Sequence, residues 1–270
     1  LCRHAYIVYG LSIVLLLIVF TAGYATRGSQ RWIALGNFTF QPSEMVKLTI
    51  ILALTKYFDG HQVGRSYHLT ELLVPFLIVL IPFLFILKQP DLGTALIVFI
   101  LFLSLVFFVG LHWRSLLIAA AGGLILTPIG WFFLKDYQKE RILTFFNPER
   151  DPLGSGYHII QSMIAVGSGG IFGKGFLKGS QTQLKFLPEQ QTDFVFSVFA
   201  EEWGFLGGIV LLIMFFFLIL WGLKIMIHSK DYPGVLLAYG ITMLIFWEVV
   251  INIGMVLGLL PVVGIPLPFL

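Results

Sequence analysis

The sequence predicts an all-α, polytopic membrane protein, a bundle of about seven transmembrane helices. Of its 270 residues, 58% are hydrophobic and only 11% are charged, which leaves too little polar surface for a soluble domain. The apolar residues form long uninterrupted runs, and such runs indicate helices, because a helix satisfies its own backbone hydrogen bonds inside a bilayer. The net charge of +3 is scattered over short loops, so we expect contacts with membrane lipids and no nucleic acid partner.

The predicted spans are apolar stretches of ~20 residues bounded by charges, Gly and Pro. They are residues 5–25, 44–58, 70–87, 92–110, 115–134, 194–221 and 234–258. The second span is short, and it reaches across a bilayer only if Glu44 and Lys47 also lie at membrane depth. Charged side chains at that depth indicate a polar cavity.

A charged, glycine-rich segment from Lys135 to Asp193 separates the fifth and sixth predicted spans. Basic residues of the short loops assign one side of the chain to the cytoplasm. These residues are Arg3, Lys56, Arg65, Arg114, Lys224 and Lys230. Long loops cross the membrane largely regardless of charge, so we predict that residues 135–193 are a large extracytoplasmic loop within one membrane domain, 1–270. Inside the loop, residues 157–166 have the apolar period of an amphipathic helix on the membrane surface.

The ends of the chain and its single cysteine give further expectations. Cys2 alone cannot form an internal disulfide or a thiolate metal cluster. The chain begins at Leu1 rather than at Met and stops in apolar sequence at Leu270. We therefore expect a fragment of a longer protein.

Asp193 is the strongest candidate for chemistry. It stands where the polar loop turns back into the apolar run that begins at Phe194. An acid at the edge of a low-dielectric region is a functional candidate.

Other charged positions allow two interpretations each. Glu44 and Lys47 lie three residues apart on one helical face and can pair, either as an interfacial ion pair or inside a substrate cavity. Asp91 either lines such a cavity or only caps the helix that follows it, and the sequence alone favours the cap. The run from Gly167 to Gly175 lacks the spacing of a phosphate-binding loop and favours a flexible turn, although Lys174 within it can reach a phosphate.

Four polar side chains fall inside the sixth and seventh predicted spans. They are Glu201, Glu202, Glu248 and Asn252. Intramembrane polar residues are costly and usually face a bundle interior or a water-filled space. Substrate contact and structural hydrogen bonding are both open for them.

Several motifs occur in an order that resembles the SEDS family (shape, elongation, division and sporulation) of peptidoglycan glycosyltransferases. The motifs are Gln30-Arg31-Trp32, Phe40-Gln41-Pro42-Ser43-Glu44, Gln89-Pro90-Asp91-Leu92-Gly93-Thr94, residues 151–162, Phe186-Leu187-Pro188-Glu189, Thr192-Asp193-Phe194, and Asn252-Ile253-Gly254-Met255 through residues 260–264. The resemblance covers essentially the whole chain. It implies that the chain corresponds to the third through ninth of the family's ten helices. Gln191 departs from the pattern, since relatives often carry His there.

The resemblance implies a reaction in which the sugar 4-hydroxyl of one lipid II molecule attacks the anomeric carbon of another. Undecaprenyl pyrophosphate leaves and a β-1,4 link forms. Asp193 matches the acid on which the family depends, and a positioned carboxylate can accept the hydroxyl proton. Candidate substrate-binding residues are Arg31, Glu44, Lys47, Lys88, Asp91, Arg141, Gln161 and Glu189. The basic ones can stabilise the pyrophosphate, alone or with a divalent cation, Mg²⁺ or Mn²⁺.

The resemblance also implies partners and a location. The partners are a class B penicillin-binding protein, which is the transpeptidase that crosslinks glycan strands, and other membrane proteins of the elongation machinery. The location is the bacterial cytoplasmic (inner) membrane. Two other functions stay open: a lipid II flippase needs the same polar cavity but no general base, and a membrane scaffold uses the motifs only for contacts.

Overall fold

The computed structural model describes residues 2–22, 24–26, 29–35, 38–59, 67–151, 154–179 and 192–270. Within these ranges the chain forms nine α-helices and one small antiparallel sheet. The helices are α1 (Ala5–Ala22), α2 (Pro42–Asp59), α3 (Leu73–Lys88), α4 (Leu92–Val109), α5 (Trp113–Phe133), α6 (Asp136–Phe146), α7 (Ser155–Ser168), α8 (Val195–His228) and α9 (Tyr232–Val256).

Each predicted span coincides with one of these helices, and the amphipathic segment at residues 157–166 lies within α7. By length and composition, α4, α8 and α9 can each cross a membrane. Shorter apolar stretches occur in α1, α3 and α5. Helix α2 has a different character, because Glu44, Lys47, Lys56 and Asp59 all lie within it. The sixth span continues beyond its predicted end to His228.

A three-stranded ribbon between α1 and α2 was not predicted. Its strands are β1 (Tyr24–Thr26), β2 (Ser29–Leu35) and β3 (Phe38–Phe40), and β2 pairs antiparallel with both neighbours. The first predicted span extended to residue 25, whereas α1 ends at Ala22 and the next described residues pair as β1. Aromatic and β-branched residues dominate the ribbon and favour strands.

The chain divides into two compact units. The first comprises Leu1–Ala119 and Leu220–Leu244, and the second comprises Ala120–Ile219 and Ile245–Leu270. The single membrane domain inferred from the sequence stays a prediction.

The core of the first unit is built by α1, α2, α3 and α4. Fully buried apolar side chains from these helices include Leu16, Ile51, Ile86 and Leu101. The hydroxyl groups of Ser12 and Thr49 lie 2.8 Å apart in a buried hydrogen bond between α1 and α2. Such a bond satisfies both polar groups inside the apolar interior.

The core of the second unit surrounds the start of α8. Its buried side chains come from α7, the first turns of α8, the last turns of α9 and the C-terminal segment. They include Ala165, Phe194, Phe196, Ala200, Val249, Ile253, Val256 and Leu267. Phe194 is fully buried there, so the core fixes the residue next to Asp193.

Helix α8 is interrupted at Gly204, where φ is 66° and ψ is −166°. The loop that follows α7 is hydrogen-bonded to the helix on both sides of this break. Lys174 N donates to Glu201 O at 3.0 Å, and Phe205 N donates to Gly170 O at 2.9 Å. The loop thus supplies partners for backbone groups that a break leaves without them.

The same glycine run was predicted as a flexible turn, and the structure shows a docked loop instead. A Cβ on Gly173 would overlap the carbonyl group of Glu202, and a Cβ on Gly204 would overlap the backbone nitrogen of Gly173. The glycines therefore allow two backbones to approach closely, a role that spacing along the sequence does not reveal.

Close packing at Gly222 of α8 gives a testable prediction. A Cβ there would overlap the hydroxyl oxygen of Thr242, which already donates to Ala238 O at 2.6 Å. We expect Gly222→Ala to lower the free energy of unfolding by about 1–3 kcal/mol through overpacking. Thermal unfolding of the purified protein in detergent measures this. Gly10→Ala is the matched control, because no atom lies within 4 Å of a Cβ at Gly10. Equal unfolding midpoints for the two variants would contradict the prediction.

Candidate functional site

Two polar clusters contain most of the described residues predicted to be functional, one in each unit. The first lies at the start of α2 and α4. Gln41 Nε2 donates to Ser43 Oγ at 2.9 Å and to Asp91 Oδ2 at 3.2 Å. One amide therefore connects the residue before α2 with the residue before α4, although the two are 50 positions apart.

Asp91 is the N-cap of α4. Its Oδ1 accepts from Thr94 N at 3.2 Å, and its Oδ2 accepts from Thr94 Oγ1 at 3.0 Å. Asp91 is buried, and these bonds satisfy a backbone N–H that a helix start leaves without a partner. The capping role favoured by the sequence is confirmed by this geometry.

Lys47 and Glu44 form an ion pair along α2. Lys47 Nζ lies 2.7 Å from Glu44 Oε2, and the side chains are 3% and 41% exposed, respectively. The ammonium group is thus held in the protein while the carboxylate reaches outward. A buried cation needs such a partner, because taking it out of water without one is costly.

Other predicted residues of the first unit are less informative. Lys88 is exposed at the last residue of α3. Next to it, Gln89 is buried and donates from Nε2 to Leu16 O at 3.3 Å. Arg31 lies on β2, but its side chain is outside the described part of the structure. Glu189, predicted from a motif of the long loop, also lies outside the described residues.

The second cluster contains Asp193, which lies in the turn before α8 and is partly exposed. Its backbone oxygen accepts from Asn252 Nδ2 at 2.9 Å. A Cβ on Gly264 would lie 3.1 Å from its Oδ2, so the carboxylate lies against the C-terminal segment. A partly exposed carboxylate held at the start of an apolar helix can accept a proton from a hydroxyl group.

Helices α6 and α7 add three polar side chains to the second unit. Arg141 Nη1 donates to Val262 O at 3.3 Å, which ties α6 to the C-terminal segment. Gln161 is half-buried on α7. The His158 ring centroid lies 6.2 Å from that of Phe194. Burial lowers the pKa of His158 below its usual value, and the Asp151 carboxylate partly opposes this shift.

Lys174 and Glu201 form a second Lys–Glu pair. Lys174 Nζ lies 2.7 Å from Glu201 Oε1, and the side chains are 29% and 0% exposed, respectively. Ser168 Oγ also donates to Glu201 Oε1, at 3.4 Å. The docked loop thus places its cation against an acid buried in the first turns of α8.

Sequence reasoning left the roles of Asn252 and Glu201 open and did not identify His158. A polar residue inside an apolar run was the only signal for Asn252 and Glu201. Their partners are distant in the chain, since Asn252 reaches residue 193 and Lys174 reaches residue 201. Among the described residues, no group of three His, Cys, Asp or Glu side chains could hold a metal ion.

Comparison with known proteins relates the chain to one family. A family model named FTSW_RODA_SPOVE and described as "Cell cycle protein" matches residues 1–270. The chain is 44% identical to the peptidoglycan glycosyltransferase MrdB of Escherichia coli K12, over 96% of the chain and 70% of that relative. It is 39% identical to the stage V sporulation protein E of Bacillus subtilis 168, with the same coverage.

Solved structures resemble the chain over nearly its whole length. One belongs to a peptidoglycan synthase complex whose polymerization and crosslinking are structurally coordinated, with a TM-score of 0.82, 35% identity, and coverage of 99% of this chain and 74% of that one. Another is the rod shape determining protein RodA of Thermus thermophilus, with a TM-score of 0.67, 30% identity, and coverage of 99% and 70%. The likeness confirms the predicted helical, multi-pass membrane architecture.

The Lys174–Glu201 pair generates a prediction. Lys174→Met removes the ammonium group and leaves the buried Glu201 carboxylate without this cation. We expect the free energy of unfolding to fall by about 3 kcal/mol, the low end for a broken buried pair because Lys174 is partly exposed. Thermal unfolding measures the change, and Lys178→Met is the matched control because Lys178 is exposed in the same loop.

Adding Glu201→Gln to Lys174→Met should restore part of the lost free energy of unfolding, because a neutral amide is less costly to bury than a carboxylate. Indistinguishable midpoints for Lys174→Met and Lys178→Met would show that the pair contributes no stability.

Proposed function

Because the chain belongs to the FtsW/RodA/SpoVE family of cell cycle proteins, we propose that it is a peptidoglycan glycosyltransferase that polymerises lipid II. Its relatives MrdB and RodA carry the name peptidoglycan glycosyltransferase. The chain spans 70% of the length of MrdB. The observation in the structure that carries the proposal is the partly exposed carboxylate of Asp193, fixed between a buried phenylalanine and the C-terminal segment.

The reaction joins two lipid-linked saccharides. The 4-hydroxyl oxygen of one lipid II molecule forms a bond to the anomeric carbon of the other, and the bond from that carbon to the pyrophosphate breaks. Asp193 accepts the hydroxyl proton as the new bond forms, a contribution of about 10²- to 10⁴-fold for a positioned general base. Undecaprenyl pyrophosphate leaves with the bonding electron pair.

The leaving pyrophosphate carries negative charge, which cationic side chains stabilise. We assign this role to Arg31, Lys47, Lys88 and Arg141. Glu44, Gln161 and Glu189 are proposed to bind saccharide or peptide groups of the substrate. Asp91 is likewise proposed to line the substrate cavity, and it also caps α4, since both of its oxygens accept hydrogen bonds from Thr94.

Membership of the same family supports a proposal for the biological setting. One solved neighbour belongs to a complex that coordinates polymerization and crosslinking. We propose that this protein likewise works with a class B penicillin-binding protein and other elongation-machinery membrane proteins. We place it in the bacterial cytoplasmic membrane, with residues 135–193 outside the cytoplasm.

Cysteine labelling tests the proposed orientation. In a Cys2→Ser background, a cysteine introduced at the exposed Lys178 should react with a membrane-impermeant maleimide in cells whose outer membrane is permeabilised and whose cytoplasmic membrane is intact, because the reagent then reaches only the extracytoplasmic side. A cysteine at the exposed His228, beside the predicted cytoplasmic Lys230, is the control and should react only after lysis. The reverse pattern would invert the topology.

Replacement of Asp193 tests the proposed chemistry. Asp193→Asn keeps the shape of the side chain but loses most of its proton affinity, so glycan synthesis from labelled lipid II should fall by at least ~10²-fold. Folding and lipid II binding should persist in the full-length protein. Asp136→Asn, at an exposed acid of the same predicted loop, is the matched control. A folded Asp193→Asn protein that made glycan strands at the normal rate would remove Asp193 from the chemistry, and lipid II transport by that variant would favour a flippase.

A further inference from the structure

We propose that Asn252 is a positioning residue for glycan polymerisation, because its side-chain amide clamps the backbone of Asp193 to the segment that follows α9. The inference rests on the proposed function, in which Asp193 is the proton acceptor. It assigns to Asn252 a role that acts through Asp193 rather than through the substrate.

The clamp consists of two hydrogen bonds from one nitrogen atom. Asn252 Nδ2 donates to Asp193 O at 2.9 Å and to Ile265 O at 2.7 Å. The first bond joins residues 59 positions apart and the second joins residues 13 positions apart. A single side chain on α9 therefore holds two segments that are separate in the sequence.

The chemistry of the site fixes which end of the Asn252 amide faces these carbonyl groups. Both partners are acceptors, so only the NH₂ group can bond to them, and the opposite orientation would place three oxygen atoms together. Oδ1 of Asn252 is buried and has no hydrogen-bond partner within the described part of the chain. The residue thus leaves its own acceptor unsatisfied while it satisfies two backbone carbonyls, which indicates that the donors are the required groups.

The surroundings make these two bonds difficult to replace. Asn252 is fully buried, and the neighbouring side chains Phe194, Ile253 and Ile265 are buried as well. Water that could bond to the two carbonyls after loss of the amide has little access to such a site. Loss of the donors should therefore move the backbone rather than only exchange one partner for another.

The position of the Asp193 carboxylate depends on the same segment. Gly264 has a φ of +74°, and a Cβ there would lie 3.1 Å from Asp193 Oδ2. The bond from Asn252 to Ile265 O fixes the residue next to this glycine. Arg141 holds the segment two residues earlier, through Val262 O. The carboxylate thus lies against a backbone that side chains hold in place.

Proton transfer depends strongly on such placement. A general base must come within about 2.6–3.2 Å of the hydroxyl group from which it takes the proton. A displacement of about 1 Å can reduce a rate by about 10²-fold. Substrate affinity depends on other groups, so a displaced Asp193 should affect kcat rather than KM.

The experiment compares Asn252→Ala and Asn252→Asp with the wild type in the full-length protein, using glycan synthesis from labelled lipid II. Both variants should lower kcat by about 10- to 100-fold with little change in KM. Asp has nearly the volume of Asn but at most one donor for the two carbonyls, so it separates hydrogen bonding from packing. A wild-type kcat for Asn252→Asp would overturn the two-donor clamp.

Ser162→Ala is the matched control. Ser162 is fully buried, and its hydroxyl group donates to Val256 O at 2.9 Å, so it also joins two segments of this unit through a backbone oxygen. It has no bond to Asp193 among those described. A loss of kcat as large in Ser162→Ala as in Asn252→Ala, at equal thermal stability, would reduce Asn252 to a general structural residue and overturn the proposal.

Hydrogen–deuterium exchange gives a readout that does not need activity. Asn252→Ala should speed exchange at residues 192–194 and 262–267 relative to Ser162→Ala, because the clamp joins these segments. Unchanged exchange would overturn the clamp whatever the activity. Faster exchange with wild-type kcat would overturn its role in the reaction. A wild-type protein that makes no glycan from lipid II would instead overturn the proposed function, while the exchange result still decides whether the clamp exists.

Discussion

A backbone carbonyl or amide group inside an apolar bundle must find a hydrogen-bond partner in the protein, because no water is at hand to supply one. In the second unit this constraint governs the position of the C-terminal segment. The C-terminal segment after α9 is not helical, so its carbonyl groups need partners from elsewhere. Arg141 and Asn252 supply them, and the second of these bonds also fixes the backbone at Asp193. The need to satisfy these carbonyl groups therefore accounts both for the position of the non-helical segment and for the position of the Asp193 carboxylate.

Two Lys–Glu pairs in the described part of the chain have opposite burial. In α2 the lysine is buried and the glutamate is partly exposed, so the pair turns a carboxylate outward. Between the glycine loop and α8 the glutamate is buried and the lysine is partly exposed, so the pair turns an ammonium group outward. Each buried charge is compensated within the protein, as burial requires. The accessible charge is therefore negative in the first pair and positive in the second. A ligand would contact a carboxylate at the first pair and an ammonium group at the second.

The sequence was sufficient for features that depend on neighbouring residues. Long apolar runs predicted the helices, and the position of Asp91 directly before the fourth apolar run predicted the cap that the structure shows. The sequence alone did not predict the features that depend on contacts between distant segments. The break at Gly204 lies in an apolar run with no proline, and it depends on a loop that begins more than thirty residues earlier, at Gly169. The two hydrogen bonds donated by Asn252 likewise join segments that are distant in the sequence. The three-stranded ribbon was missed because its first strand continues an apolar stretch, in which strand and helix have similar composition.

The glycines of the loop and of α8 also limit how this protein can change over evolution. At Gly169, Gly173 and Gly204 an added Cβ would meet backbone atoms of the opposite segment. At Gly240 of α9 it would instead meet the end of a side chain, that of Ile51 on α2. A clash with a side chain can be relieved by a second substitution that makes that side chain smaller. A clash with backbone has no such compensating partner, so substitutions at the loop–helix joint cannot be made neutral by one further substitution, whereas a substitution at the helix–helix contact of Gly240 can.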